Sequence, residues 1–233
     1  MFSKILAMTM MSSLAAAEVF TISNTACRTD INSTLMDTHD GNIVQWTTNG
    51  LFWFYSMGYQ DCEIEHGLIP PQECPGIYET FGACGFRIDH ALRVYTSPNL
   101  VDWTLQNQDA IDAGTRLYGI YFRPKVIYNE ATLKYVLWVN HLPDGNTPLA
   151  AYGQAGYVVA TSDVPEGPFV TVNQAASLSE GAAGDADIFV DDNGVDAYIV
   201  YNGWYNSHTI SVEKLDANFT NSLGADYNSG AVS

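Results

Sequence analysis

The groups best suited to chemistry fall in three short clusters, each just ahead of an apolar run: Asp37-Thr38-His39-Asp40-Gly41-Asn42, Tyr121-Phe122-Arg123-Pro124-Lys125 and Gly184-Asp185-Ala186-Asp187. Asp40 stands three residues before Ile43 and Asp185 three before Ile188, so two carboxylates keep one offset from the run that follows. If those runs are neighbouring strands, Asp40, Asp185, His39, Arg123 and Lys125 share a cavity. Inverting hydrolysis of a glycosidic bond asks for such a set: a carboxylate base that activates water, a separate acid, and charged groups that adjust their pKa values. Arg123 adds a planar fork with fixed hydrogen-bond directions, suited to a sugar or a carboxylate. His39 can bond a sugar hydroxyl. An isolated Asp before a strand otherwise caps a turn; the shared offset argues for more.

Elements must hold these clusters in place. Helical periodicity is almost absent, since no long stretch keeps apolar residues at i, i+3, i+4 and i+7. A strand, a polar turn and an aromatic-rich strand recur instead: residues 43–46, 47–50 and 51–55, then 125–128, a turn through Asn129-Glu130 and 134–138, then 187–190, 191–194 and 197–201. The Asn-Gly turns of the first and third copies are strong hairpin signals. Each hairpin is followed by a further strand and a short partner: 92–98 with Asp102-Trp103-Thr104, 157–163 with Gly167-Pro168-Phe169, and 209–212 with Asn218-Phe219. Four strands per unit, repeated, predict an all-β chain and a β-propeller with about three blades present. A β-sandwich also has many short strands, but not one two-part pattern three times over. The first strand of a propeller blade lines the central channel, which is how the clusters would meet. Trp53, Trp103, Trp138 and Trp204 are expected in blade cores. Three blades end near residue 221, whereas a ring closes with four or more, so the expectation is a propeller incomplete at its C-terminus and inert by itself.

Composition narrows the partner. The chain has 233 residues, with 9 Lys and Arg against 26 Asp and Glu, a net charge of −17. It lacks the basic footprint that nucleic acid or an anionic membrane surface demands. With 12% aromatic residues, 14 Tyr and 5 Trp among them, a neutral glycan is the expected partner. Residues 1–17 read as a signal peptide, with a basic start, an apolar run too short to span a bilayer, and Ala15-Ala16-Ala17 before cleavage. The product is then secreted. In an oxidising compartment Cys27, Cys62, Cys74 and Cys84 favour two disulfides, with three pairings open. No CxxC or HxxxH spacing supports a zinc site, and the reading calls for no metal and no cofactor. Asn32-Ser33-Thr34 and Asn218-Phe219-Thr220 are glycosylation sequons. The expected organisation is a lead-in over 18–36, blades over 37–221 with a Cys-rich insertion at about 60–86, and a tail over 222–233.

Asp40-Gly41-Asn42-Ile43 resembles the Asp-Pro-x-Ile opening of blade one in glycoside hydrolase family 43, the five-bladed propellers of arabinan- and xylan-acting enzymes. That resemblance implies that Asp40 is the general base. The stretch from Gly184-Asp185-Ala186-Asp187-Ile188 to Asp191-Asp192-Asn193-Gly194 is similar to the family's Ile-Asp-Pro-x-x-Phe-x-Asp-Asp-x-Gly segment, which implies that Asp185 adjusts the pKa of the acid. Arg123-Pro124-Lys125-Val126-Ile127-Tyr128-Asn129, the stretch from Tyr95 to Trp103, Thr161-Ser162-Asp163 and Gly167-Pro168-Phe169 are similar to the exo-β-1,3-galactanase-like branch. Phe122 stands where that branch places a Glu. The family's acid is a Glu opening blade four, beyond this sequence, and Glu180 and Glu213 lie off the motif, so no acid is assigned. The resemblance implies an inverting hydrolase of cell-wall polysaccharide (arabinan, xylan or β-1,3-galactan). The alternative is a non-catalytic carbohydrate-binding propeller. The fructan-cleaving propellers fit less well, because blade one lacks an Asp-Pro-Asn-Gly opening.

Overall fold

The structure, a computed structural model, describes residues 19–23, 26–58, 88–143, 152–203 and 209–224. The expected signal peptide, the insertion with Cys62, Cys74 and Cys84, Trp204 and most of the tail lie outside the described residues. Cys27 is disulfide-bonded.

Eleven strands, all antiparallel to their neighbours, form three sheets in chain order among the described residues. The first holds β1 (His39–Gln45), β2 (Phe52–Gly58), β3 (Ala91–Ser97) and β4 (Thr104–Asn107). The second holds β5 (Ile120–Asn129), β6 (Lys134–Leu142), β7 (Gly156–Ser162) and β8 (Val170–Asn173). The third holds β9 (Ala183–Val190), β10 (Ala197–Gly203) and β11 (Thr209–Lys214). The chain is all-β, as its alternation predicts, and each expected hairpin forms. The Asn-Gly turns work as argued: Gly194 N donates to Asp191 O at 2.8 Å and Gly50 N to Thr47 O at 2.8 Å. Asn129 ends β5 and its side chain accepts from Ala131 N and Thr132 N, each at 3.0 Å, which rounds the middle hairpin.

A fourth strand in the third sheet, expected around Asn218-Phe219, is not present among the described residues. Phe219 sits at φ 61° in a turn closed by its N–H on Asp216 O at 3.0 Å. Burial of its ring outweighs strand pairing, and only a single bridge, Leu215 to Ser222, joins this stretch.

The middle sheet is covered on both faces. Val126, Leu137, Val139, Val158 and Ala160 pack with Tyr55, Met57, Leu92 and Val94 of the first sheet. The alternate residues Ile127, Val136, Trp138, Tyr157 and Val159 pack with Ile188, Ile199 and Tyr201 of the third. Two buried faces explain why β6 and β7 read as continuous apolar runs, whereas β10 alternates between buried and half-buried positions. Trp138 is fully buried, and its indole N–H donates to Phe219 O at 2.7 Å; truncating it to Ala removes about 3–5 kcal/mol of packing. Trp103 is equally buried, beneath Met36 and Tyr95, while Trp53 is half-buried.

The first strands of the three sheets stand side by side, β1 against β5 and β5 against β9. Asn42 bridges the first two, donating to Val126 O at 3.1 Å and accepting from Val126 N at 3.2 Å. Asn140 reaches from β6 to Ala183 O of β9 at 3.1 Å. Because neighbours are antiparallel, the starts of β1, β5 and β9 lie beside the ends of β2, β6 and β10.

Candidate functional site

The chemical clusters sit inside the strands, not ahead of them. In each first strand two residues oppose one on the partner strand, which is a β-bulge. Asp40 and Gly41 oppose Ser56, Arg123 and Pro124 oppose Val139, and Gly184 and Asp185 oppose Asn202. The local chemistry explains why bulges form here. Gly41 takes φ 95°, and a Cβ on it would lie 1.8 Å from Tyr55 O. Pro124 has no N–H to give to a ladder, so inside a strand it belongs at a bulge. Asp40 and Arg123 are themselves at φ 52°, a conformation costing of order 1–3 kcal/mol in a non-glycine residue. Strain of this kind, repeated at equivalent places, re-aims side chains toward the common end.

The equal offsets of Asp40 and Asp185 do not correspond to equal register. Asn42 faces Tyr55 as Lys125 faces Trp138 and Ala186 faces Tyr201, so Asp40 is equivalent to Arg123 and Gly184, and Asp185 to Gly41 and Pro124. Ile43 is 46% exposed while Ile188 is buried, so the two isoleucines are not equivalent core positions either.

Charges interlock across the sheets. Arg123 Nε meets the Asp185 carboxylate, and Lys125 Nζ lies 3.5 Å from Asp187 Oδ1. His39 Nδ1 is 3.3 Å from Asp40 Oδ2. Burial alone would raise the Asp40 pKa, but the His39 contact and the charges of Arg123 and Lys125 outweigh it and hold the carboxyl below its ordinary value. The Asp40 side chain is 39% exposed and that of Asp185 72%, so both are accessible from solvent. Of the four residues singled out from sequence, Arg123 and Asp185 touch, His39 and Asp40 touch, and the charge of Arg123 reaches Asp40.

Other residues take part as well, and of these Tyr157 carried no sequence signal. Tyr157 of β7 donates to Gly184 O at 2.6 Å and is buried in the fields of Arg123, Asp185, Asp40 and Asp187, with its phenol pKa pushed up mainly by burial. In sequence it is one aromatic in an apolar strand. Lys125 donates to Gly41 O at 3.0 Å. His90, fully buried, gives its Nδ1–H to Tyr121 O at 2.9 Å, and its ring stands 5.1 Å from Phe122, which is itself 6.0 Å from His39. Phe122 is thus part of a buried ring cluster beside Asp40.

Of the two glutamates off the motif, Glu213 is committed elsewhere. It is fully buried and accepts from Ser179 N at 2.9 Å, from the Tyr201 hydroxyl at 2.6 Å and from the Ser222 hydroxyl. Glu180 packs on Gly203, and its N–H bonds the Tyr201 hydroxyl at 2.9 Å. A groove of 630 Å³ runs along the first strands from Asn42 away from the carboxylates, past Trp46 and Tyr128 to Asp191 and Asp192. The candidate residues lie at the bulged ends, where the charges of three sheets meet, rather than in that groove.

No protein-family model matches the sequence, and no curated protein matches it at the sequence level. The likeness is carried by structure. An exo-β-1,3-galactanase from Phanerochaete chrysosporium, solved with galactose, is 25% identical with a TM-score of 0.64, and the match covers 91% of this chain and 42% of that one. A structure of the same enzyme with β-1,3-galactotriose is also 25% identical, with a TM-score of 0.63 and coverage of 89% and 41%. An exo-β-1,3-galactanase from Clostridium thermocellum is 19% identical, with a TM-score of 0.63 and coverage of 87% and 39%. The chain therefore spans about two fifths of the length of these structures. Over most of its residues, the chain is folded like the glycoside hydrolases of family 43, exo-β-1,3-galactanases among them.

Proposed function

We propose that this chain is a secreted, glycoside hydrolase-like protein directed at cell-wall polysaccharide, with arabinan, xylan and β-1,3-galactan as the substrate range. The observation that carries the reading is the set of three equivalent bulges, which present Asp40, Arg123 and Asp185 at one end of adjacent sheets. Asp40 is the base that activates water for inversion. Its lowered pKa keeps it ionised into mild acid, as a base requires, although a lower pKa also makes it a weaker proton acceptor. Asp185, held against Arg123, sets the local field that adjusts the acid. Arg123 meets Asp185 through Nε, leaving its outer N–H groups for sugar hydroxyls, and His39 contributes a further bond.

The test is incubation with a panel of the three polysaccharides, following released monosaccharide and its anomeric configuration by NMR. Release with inverted configuration, lost in Asp40→Asn, would support the reading and would show that a proton donor is present, since none is assigned from the sequence. A second reading, glycan binding without hydrolysis, is favoured by two observations: Phe122 is buried among rings at the motif's Glu position, and Glu213 is tied up by three donors. Binding to the panel with no release would select it. If turnover occurs, Glu180→Gln tests whether that carboxylate supplies the proton.

A further inference from the structure

The two glycines that adjoin the candidate carboxylates, Gly41 and Gly184, are each held through their carbonyl oxygen by a side chain of the middle sheet. Lys125 Nζ donates to Gly41 O at 3.0 Å, and the Tyr157 hydroxyl donates to Gly184 O at 2.6 Å. Neither bond belongs to a strand ladder. A bulge frees a carbonyl from pairing, and such a group, when sheltered, needs a donor. Both donors come from the sheet lying between the carboxylates, Lys125 from β5 and Tyr157 from β7.

We propose that Lys125 and Tyr157 are positioning residues, pinning the bulges on either side so that the middle sheet sets where Asp40 and Asp185 stand relative to one another. The inference rests on the reading of Asp40 and Asp185 as the working carboxylates, and it assigns Lys125 and Tyr157 no contact with substrate. The two pins are anchored differently. Lys125 is steadied on its other side by Asp187 at 3.5 Å, and its side chain is 16% exposed. Tyr157 is 1% exposed, with its ring packed on Trp138, so its hydroxyl has little freedom to follow a bulge that moves. A displacement of about 1 Å at a reacting group can cost as much as a hundredfold in rate, so pins of this kind matter to catalysis without taking part in it.

The experiment uses the full chain as wild type, Lys125→Met, Lys125→Arg and Tyr157→Phe. Carbon-13 NMR follows titration of the Asp40 carboxyl, and crystal structures locate both carboxylates. The groups facing Asp40 in that titration are His39, Arg123 and Lys125, with Asp185, Asp187 and Tyr157 beyond them. Expected results are a higher Asp40 pKa in Lys125→Met that Lys125→Arg restores, and a displaced Asp185 carboxylate in Tyr157→Phe with Asp40 titrating as in wild type. Where turnover is measurable, kcat falls about tenfold or more in Lys125→Met and Tyr157→Phe, with KM changing less than about twofold. Unmoved carboxylates in both variants, or an Asp40 titration indifferent to Lys125→Met, would overturn the proposal. The titration and the structures read positioning whether or not the chain hydrolyses any glycan, so inert wild-type protein would count against the proposed function and leave this result standing.

Discussion

The bulges that open the first and third sheets share a backbone plan and use it differently. In the first, the acid occupies the leading bulge position at φ 52°, its contact is the adjoining His39, and it lies within the fields of Arg123 and Lys125. In the third, the acid occupies the trailing position, is 72% exposed, and meets Arg123 directly across the sheet boundary. One cation from the middle sheet thus touches Asp185 and acts on Asp40 from a distance. The fold supplies a bend at the same height in each sheet, and the choice of which bulged residue carries the carboxylate decides how much shelter and which partner it receives. That asymmetry matches the proposed division of roles between a base and a field-setting group.

Removing the first bulge has the largest expected effect. Gly41→Ala places a methyl group 1.8 Å from Tyr55 O and forces φ 95° on a residue with a Cβ. The strand must re-register or the pairing with β2 must open, and a loss of roughly 2–4 kcal/mol is expected in urea denaturation. Gly156→Ala is the control: a Cβ there meets nothing within 4 Å, so stability should stay within about 0.5 kcal/mol of wild type. Equal, small losses in both would mean that the bulge at Asp40 is not held as described.

Next come the carboxylates themselves. Asp40→Asn removes the group proposed as base, and where turnover is measurable hydrolysis should fall about 10²–10⁴-fold. Asp185→Asn should cost less, because the amide keeps a hydrogen-bond acceptor for Arg123 and alters only the field. Initial rates on the best polysaccharide of the panel decide between them. Losses of the same size in the two variants would collapse the distinction between the bulges.

Much of this arrangement is legible in the sequence, and the illegible part has a physical cause. Alternation and Asn-Gly turns mark the hairpins because strand period and turn conformation are local properties. The cluster residues stand out because Asp, Arg and His before apolar runs are conspicuous. Their register is not local. Gly41, Pro124 and Gly184 within strand-like stretches are bulge signals, yet reading them as loop residues ahead of the strands hides the one-position difference between Asp40 and Asp185. Tyr157 is beyond such a reading, and so is the contact that Lys125, a cluster residue, makes, since each is distinguished by a carbonyl on another sheet. The strand that Asn218-Phe219 does not form shows the same limit: the pair matches the pattern of Asp102-Trp103, but Phe219 is buried in a cluster with Trp138 and Val136 of β6 and residues of the third sheet.

The smallest expected effect is in the pH dependence of stability, and it sharpens the comparison most directly. The Asp40 pKa in the folded chain lies below its ordinary value, despite burial that would raise it, because His39, Arg123 and Lys125 favour the ionised form. A depressed folded pKa means that the unfolded chain binds the proton more readily as pH falls. The stabilising contribution is therefore fully present above the unfolded value of about 3.9 and is lost as pH drops through the folded pKa. Its size must be modest, because 39% of the side chain faces solvent and exposed pairs are screened. Urea midpoints measured from pH 7 down to about pH 3 should decline for the wild type below about pH 4, and the decline should be shallower in Asp40→Asn. Arg123→Met should flatten the curve in part, since it removes one of the charges that lower the Asp40 pKa, and added salt should act in the same direction. Parallel curves for wild type and Asp40→Asn would show that the first bulge gives its acid no charged support, and the asymmetry between the two carboxylates would then have to lie in exposure alone.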